Sequence, residues 1–222
     1  MGKEGIQLKF SFDNRTVIMC KDAWDKIQKL GLYVAPNSHV ILRPSVGKIL
    51  LNIGCRHDYM PGYVNIDKDP AWKVDRLHDA RMLHTISGPE TVDGIVMTHC
   101  FIYLNVWEGP KFLADAFTML KPGAMIILQH PDQEVMFRYI DENRGAYDKW
   151  LEATRGLHAF DYNDIHSQIQ YPPAQMSWPG WVLEKVMKDA GFDTTLIELG
   201  IPPENPSWRD NVLVGIKPVG GK

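Results

Sequence analysis

Cysteine is scarce in this 222-residue chain: Cys20, Cys55 and Cys100 are odd in number and form no C-x-x-C pair. A disulfide framework and a cysteine-built zinc site are both disfavoured, and the three are expected to be free thiols. Long apolar runs are missing too. Stretches such as Ala124–Leu128 fall far short of a bilayer span, and the opening MGKEGIQLKF lacks the apolar core of a secretory signal, so the expectation is a cytoplasmic protein with no membrane association. Charge of one sign is also wanting. The 24 Lys and Arg are interspersed with 27 Asp and Glu for a formal net charge of −3, with no basic cluster, which argues against a nucleic-acid partner. There is no internal repeat, no low-complexity tract and no G-x-G-x-x-G run, so the dinucleotide fingerprint is absent.

What is present divides into two parts. Residues 1–47 read as a β-rich N-terminal appendage: IQLKFSF and TVIM flank a turn at Asp13-Asn14, and LYVA and HVILR flank Pro36-Asn37-Ser38. Between these hairpins Asp22–Leu30 places Ala23, Trp24, Ile27 and Leu30 on one helical face, with Gly31 at the expected C-cap. From Lys48 onward, short apolar runs ending in Gly, Asp or His alternate with polar segments, the rhythm of an α/β chain built on a parallel sheet. Expected strands are Ile49–Ile53, Tyr63–Ile66, Val74–Leu77, Gly94–Met97, Ala124–Gln129, Thr194–Leu199 and Asn211–Lys217. Helices are expected at Gly109–Leu120, closed by Lys121-Pro122-Gly123, and at Gly180–Ala190 with Trp181, Val182, Val186 and Met187 inward.

The run KILLNIGCRHDYMPGYVNIDKDP puts Gly54 just past one buried strand and Asp67 just past the next. A bare backbone turn beside a carboxylate is the geometry of a nucleoside site, the carboxylate accepting hydrogen bonds from two ribose hydroxyls.

These residues resemble the small class I S-adenosylmethionine (SAM) methyltransferases with an N-[LI]-G-[CS]-G…PG-[WY]-[VI]-N-x-D signature. VDRLHDARMLH, VDGIVMTHCFIYL, MLKPGAMIIL and VLEKVMKDAGFDTTLIEL are similar to further ordered segments of that family. The resemblance covers residues 48–217 apart from an insertion, 131–179. It implies a Rossmann-like, seven-stranded, mostly parallel sheet with a reversed terminal strand, forming a methyltransferase domain over 48–222. The implied cofactor is SAM, which carries no phosphate. The cofactor set it implies is Asn52, Gly54, Cys55, Arg56, Asp67, Lys68, Asp79, Ala80 and Thr98, with Asp79 and Ala80 bordering adenine.

The chain departs from the pattern in three places. Arg56 stands where the family has a second glycine, and either pairs with the methionine carboxylate or is a surface arginine beside a turn. The link from Ile53 to Tyr63 is too short for a crossover helix. Ile102-Tyr103 replaces a common Glu-His.

Three histidines follow strand ends: His57, His99 and His130. Methyl transfer asks the protein to align an acceptor and remove its proton, so His99 is the candidate base, with His130 and Asp132 as further candidates for acceptor contact; no metal is expected. The other reading of such histidines is a hydrogen bond to a loop. The insertion carries Phe137, Tyr139, Tyr147, Trp150, His158, Phe160, Tyr162, His166, Tyr171 and Trp178. It is either a lid over the acceptor or a helical decoration with its own small core. The expected function is methylation of O or N on a small or carbohydrate-like acceptor. The competing reading is a degenerate relative serving as a binding or regulatory subunit.

Overall fold

The computed structural model describes residues 7–12, 15–35, 39–158, 175, 176, 178–199 and 209–220, with side chains from Met19 onward except those of 155–158. The first hairpin pairs β1 (Gln7–Phe12) with β2 (Arg15–Cys20) antiparallel, while the expected turn at Asp13-Asn14 lies outside the described residues. Helix α1 (Lys21–Lys29) follows, burying Ala23 and Ile27. Two-residue strands β3 (Tyr33–Val34) and β4 (Val40–Ile41) then pair antiparallel.

The main sheet has seven strands. Its members are β5 (Leu50–Ile53), β6 (Val64–Asp67), β7 (Arg76–Leu77), β8 (Val92–Thr98), β9 (Leu120–Pro131), β10 (Asp193–Glu198) and β11 (Asp210–Ile216), in the order β10-β11-β9-β8-β5-β6-β7. β5 through β9 run parallel to one another, whereas β11 pairs antiparallel with both β9 and β10. This is the Rossmann-like sheet with a reversed final strand that the motifs imply. Both faces are covered, which is why the central strands read as continuous apolar runs.

Alternation along the strands sends Leu50, Val96, Ile127, Val212 and Val214 to one face, against α1, β3, β4 and the helices α3 (Gln133–Glu142) and α4 (Tyr147–His158). Leu51, Ile53, Ile95, Met97, Leu128 and Leu213 face the other side. There α2 (Glu108–Met119) supplies Phe112, Leu113 and Ala116, and α5 (Gly180–Asp189) supplies Leu183 and Met187. Residues 19–42 thus share a core with the sheet.

Local departures have physical causes. Trp181 lies 59% exposed instead of inward, its indole N–H donating to Glu134 Oε1 at 3.0 Å, because Leu183 and Met187 already fill the buried stripe of α5. β7 shrinks to two exposed residues since it pairs on one side only. The Lys121-Pro122-Gly123 turn is taken up inside β9 as an irregularity, the ladder jumping from Val92↔Leu120 to Gly94↔Met125.

Candidate functional site

Strand order reverses direction at β5: β6 and β7 lie to one side of it, β8 and β9 to the other. The loops leaving β5 and β8 therefore part, and a crevice opens at the carboxyl ends of the strands. Gly54 lies on its floor. Its φ of +69° is left-handed, and a Cβ there would sit 2.2 Å from Cys100 Sγ and 2.5 Å from Cys100 Cβ. Glycine is thus demanded by the chain's own packing across the crevice.

A cavity of about 340 Å³ opens here, within the size range of small-molecule sites. Gly54, Asp67, Lys68, Asp79 and Ala80 all border it. Asp67 ends β6 with its carboxylate aimed by two backbone donors: Arg56 N–H to Oδ2 at 3.0 Å and Asp69 N–H to Oδ1 at 3.0 Å. A carboxylate offers about four acceptor sites, so each oxygen keeps capacity for a further donor. This donor-seeking carboxylate beside the Gly54 bend suits two ribose hydroxyls, and the cavity suits a nucleoside.

Arg56 does not border the cavity. Its backbone takes a left-handed φ of +43°, and its guanidinium carbon lies 5.7 Å from the centroid of Trp72, a cation–π arrangement, while its charge still acts on the cavity-lining Cys100 and Tyr103. Asn52 and Cys55 are buried, and neither borders the cavity. Asn52 donates to Asp58 O at 2.8 Å and to Asn65 Oδ1 at 2.9 Å. Cys55 is a thiol pushed up to about 11 by burial. Thr98, half-buried at the end of β8, also lies outside the lining.

The link from β5 to β6 contains no helix; Asn65 organises it instead. Asn65 Oδ1 accepts from Met60 N–H at 2.8 Å, and its amide donates to Met60 O at 3.0 Å, Tyr63 O at 3.1 Å and Asp75 Oδ2 at 2.9 Å.

Asp79, which the resemblance sets beside adenine, is already engaged. Asp79 caps the 3₁₀ turn Ala80–Thr85, accepting Arg81 N–H at 2.9 Å, and both of its oxygens also receive the Arg81 guanidinium, Nε lying at 3.0 and 3.1 Å. Hydrogen bonds from Arg81 hold the Asp79 carboxyl below the usual carboxylate range against a smaller opposing push from burial. Arg81 also faces Glu108 at 3.8 Å.

Arg81 and Glu108 were not expected at the site from the sequence, nor were His78, Cys100, Tyr103, Leu104 and Asn105, which also line the cavity. The β8 segment THCFIYLN carried the one available signal, its motif pointing at Thr98-His99 while the lining is made by the residues just after. Gln175 is the described residue of the insertion that borders the cavity; its backbone N–H donates to Ile102 O at 2.8 Å.

The three strand-end histidines part company. His57 is on the exposed link, 3.7 Å from Asp58 and edge-on to Trp72. His130 is fully buried, Nδ1 within 2.9 Å of Pro131 O, and burial lowers its basicity, so it presents no face to an acceptor. Asp132 caps α3, accepting Glu134 N–H at 2.7 Å and Val135 N–H at 3.3 Å on Oδ1, and Gly180 N–H at 2.9 Å and the Asn211 amide on Oδ2. Those four donors use its acceptor capacity, which makes Asp132 a brace between α3, α5 and β11.

His99 does not itself border the cavity, but of the three it is the one that joins a part-exposed ring to a buried carboxylate. It precedes the cavity-lining Cys100, its side chain is 38% exposed, and Nε2 lies 2.6 Å from Asp210 Oδ2. His39 packs edge-on at 5.9 Å, and burial holds its imidazole down at about 4. Among the described residues no group of three or more His, Cys, Asp or Glu side chains is placed to hold a metal ion, and the three cysteines are free.

In the insertion, Tyr139 is buried and its hydroxyl donates to Glu152 at 3.1 Å, while Trp178 packs on Phe101 in the core. Tyr147 and Trp150 stack on each other at the surface, and Phe137 is exposed. The ring positions Phe160, Tyr162, His166 and Tyr171 lie outside the described residues, as does the side chain of His158. Among the described residues no helix is long and apolar enough to cross a membrane.

No protein-family model matches the sequence, and no curated protein matches it. Solved structures do. A protein assigned as an S-adenosylmethionine-dependent methyltransferase from Listeria monocytogenes aligns with a TM-score of 0.54 at 12% identity over 89% of this chain and 98% of its own. A SAM-dependent methyltransferase from Methanosarcina mazei gives 0.53 at 16% identity, over 77% and 92%. One from Archaeoglobus fulgidus gives 0.51 at 13% identity, over 77% and 86%. The chain has the class I methyltransferase fold, and at these identities the likeness is one of fold.

Proposed function

We propose that the protein is a SAM-dependent methyltransferase acting on an oxygen or nitrogen of a small or carbohydrate-like acceptor. The observation that carries this reading is the convergence of Gly54 and the backbone-aimed Asp67 carboxylate on one cavity, in a fold shared with SAM-dependent methyltransferases. The cofactor supplies an electrophilic methyl group on a cationic sulfur. Asp67 holds the ribose hydroxyls, Ala80 and the 3₁₀ turn border the base, and Leu104 and Cys100 add apolar wall. His99, next to the cavity with one nitrogen held by Asp210, removes the acceptor's proton. Acceptor contacts come from the insertion that delivers Gln175.

A second reading has support in Asp79, whose carboxylate is already occupied by Arg81: a relative that keeps the fold as a binding subunit without catalysis. Calorimetric titration with S-adenosylhomocysteine separates the two. Saturable heat at micromolar ligand is expected; no heat and no thermal shift at millimolar ligand would establish the subunit reading instead.

A further inference from the structure

Beside the cavity, the carboxyl ends of β8 and β9 meet the start of β11 in a cluster of polar side chains. Asp210 is its centre, with no side-chain exposure. Its Oδ2 accepts from His99 Nε2 at 2.6 Å and from Gln129 Nε2 at 3.1 Å. The Gln129 amide cannot be reversed, because its Oε1 accepts Val40 N–H at 3.0 Å. Burial alone would raise the Asp210 carboxyl, but His99, Arg209 and Gln129 together outweigh it and hold the group below the usual carboxylate range. A buried, ionised oxygen at 2.6 Å requires a proton on the facing nitrogen. The neutral His99 ring is therefore the Nε2–H tautomer, and its lone pair is on Nδ1.

Two further observations indicate use. Nδ1 has no hydrogen-bond partner among the described residues although the ring is part exposed, and His99, while not itself in the cavity wall, immediately precedes the cavity-lining Cys100 in the chain. The His99 backbone is left-handed at φ +52°, held there by its N–H on Gln129 O at 2.8 Å; such a conformation at a strand end costs free energy that the surrounding structure must offset.

The geometry points to Asp210 as a positioning residue that locks His99 with Nδ1 free to take the acceptor's proton, and to a hydroxyl as the acceptor group. This rests on the methyltransferase reading. An acceptor amine sheds its ammonium proton to water before binding, and a thiolate or carboxylate needs no base, whereas a hydroxyl must lose its proton as it attacks. In that step the acceptor oxygen forms a bond to the methyl carbon while the carbon–sulfur bond breaks, its electron pair staying on sulfur. The O–H proton passes to Nδ1, the resulting imidazolium is balanced by Asp210, and solvent at the exposed ring edge removes the proton afterwards.

The test is a long-range ¹⁵N–¹H correlation spectrum of the full chain labelled at histidine, with the His99 signals assigned by their loss in His99→Gln. Expected for the neutral ring, reached by titrating to alkaline pH, are an unprotonated, pyridine-like Nδ1 and a strongly downfield Nε2 proton. In Asp210→Asn that proton signal should be lost and the two nitrogens should average, with S-adenosylhomocysteine affinity changed less than threefold. A neutral ring protonated on Nδ1 with Nε2 bare overturns the assignment, as does a native spectrum that survives Asp210→Asn. If Asp210→Asn does not fold, the native spectrum decides, since the downfield proton exists only with the carboxylate bond. Absence of S-adenosylhomocysteine binding in the native protein defeats the methyltransferase reading separately and leaves the tautomer result intact.

Discussion

At Gly54 two demands coincide, a left-handed φ and a neighbour's sulfur where a Cβ would be. Gly54→Ala is expected to cost about 2–4 kcal/mol in urea denaturation, combining backbone strain with overpacking against Cys100. Asp67→Ala acts differently. It removes a ribose acceptor and should weaken S-adenosylhomocysteine binding by about 1.5–3 kcal/mol in calorimetry, and unchanged affinity would move the pocket elsewhere. Both residues were legible because each falls at or just past a strand end, where a turn must occur. The set implied by the resemblance also held Asn52, Cys55, Arg56 and Thr98, none of which borders the cavity. A motif says nothing about side-chain direction, and Asn52 turns inward to Asp58 and Asn65. Asp210 was illegible for another reason: it meets His99 across 111 positions of chain, and no local pattern announces so distant a partner.

At the scale of elements, the helix-free link between β5 and β6 is the departure that sequence could detect but not explain. Its length forbids a crossover helix; that Asn65 replaces one, by hydrogen bonds to Met60, Tyr63 and Asp75, appears only when the loop is folded. Asn65→Ala should destabilise by at least about 3 kcal/mol, since it strands several buried backbone groups. Because Gly54 and Asp67 sit at the two ends of this link, S-adenosylhomocysteine affinity should fall with it; stability lost with affinity intact would show the link to be independent of the site. Helices were read well where an apolar stripe is clean, as in α1 and α2, and less well in α5, where Trp181 carries apolar area but also an N–H that seeks a partner.

For the molecule as a whole, acid sensitivity follows from His39. Its imidazole is held near 4 by burial, below the 6.5 of an exposed histidine, with Asp58 and Asp210 opposing and His99 and His57 adding to the shift. The folded state favours the neutral ring, so the stability it contributes is complete above about pH 6.5 and is lost as pH falls toward 4, by about 3 kcal/mol across that window. Denaturation midpoints from pH 7.5 to 4.5 should decline, and His39→Gln should flatten the decline; an equal slope in both proteins would assign the effect to other groups. The doubly wound sheet was legible because its central strands are buried on both faces and read as unbroken apolar runs. The contribution of residues 19–42 to one of the two cores was not, since a hairpin and a short helix read alike whether they stand apart or pack on a sheet.

The reversed strand β11 is inserted between β9 and β10 although it comes last among the sheet's strands. During synthesis the cavity-forming strands β5 to β8 leave the ribosome well before it, while the sheet is still open on one side. Asp210 is the first residue of that late strand. His99 therefore acquires its carboxylate only when the sheet closes, and a chain stalled or cleaved before residue 210 would lack the His99–Asp210 pair.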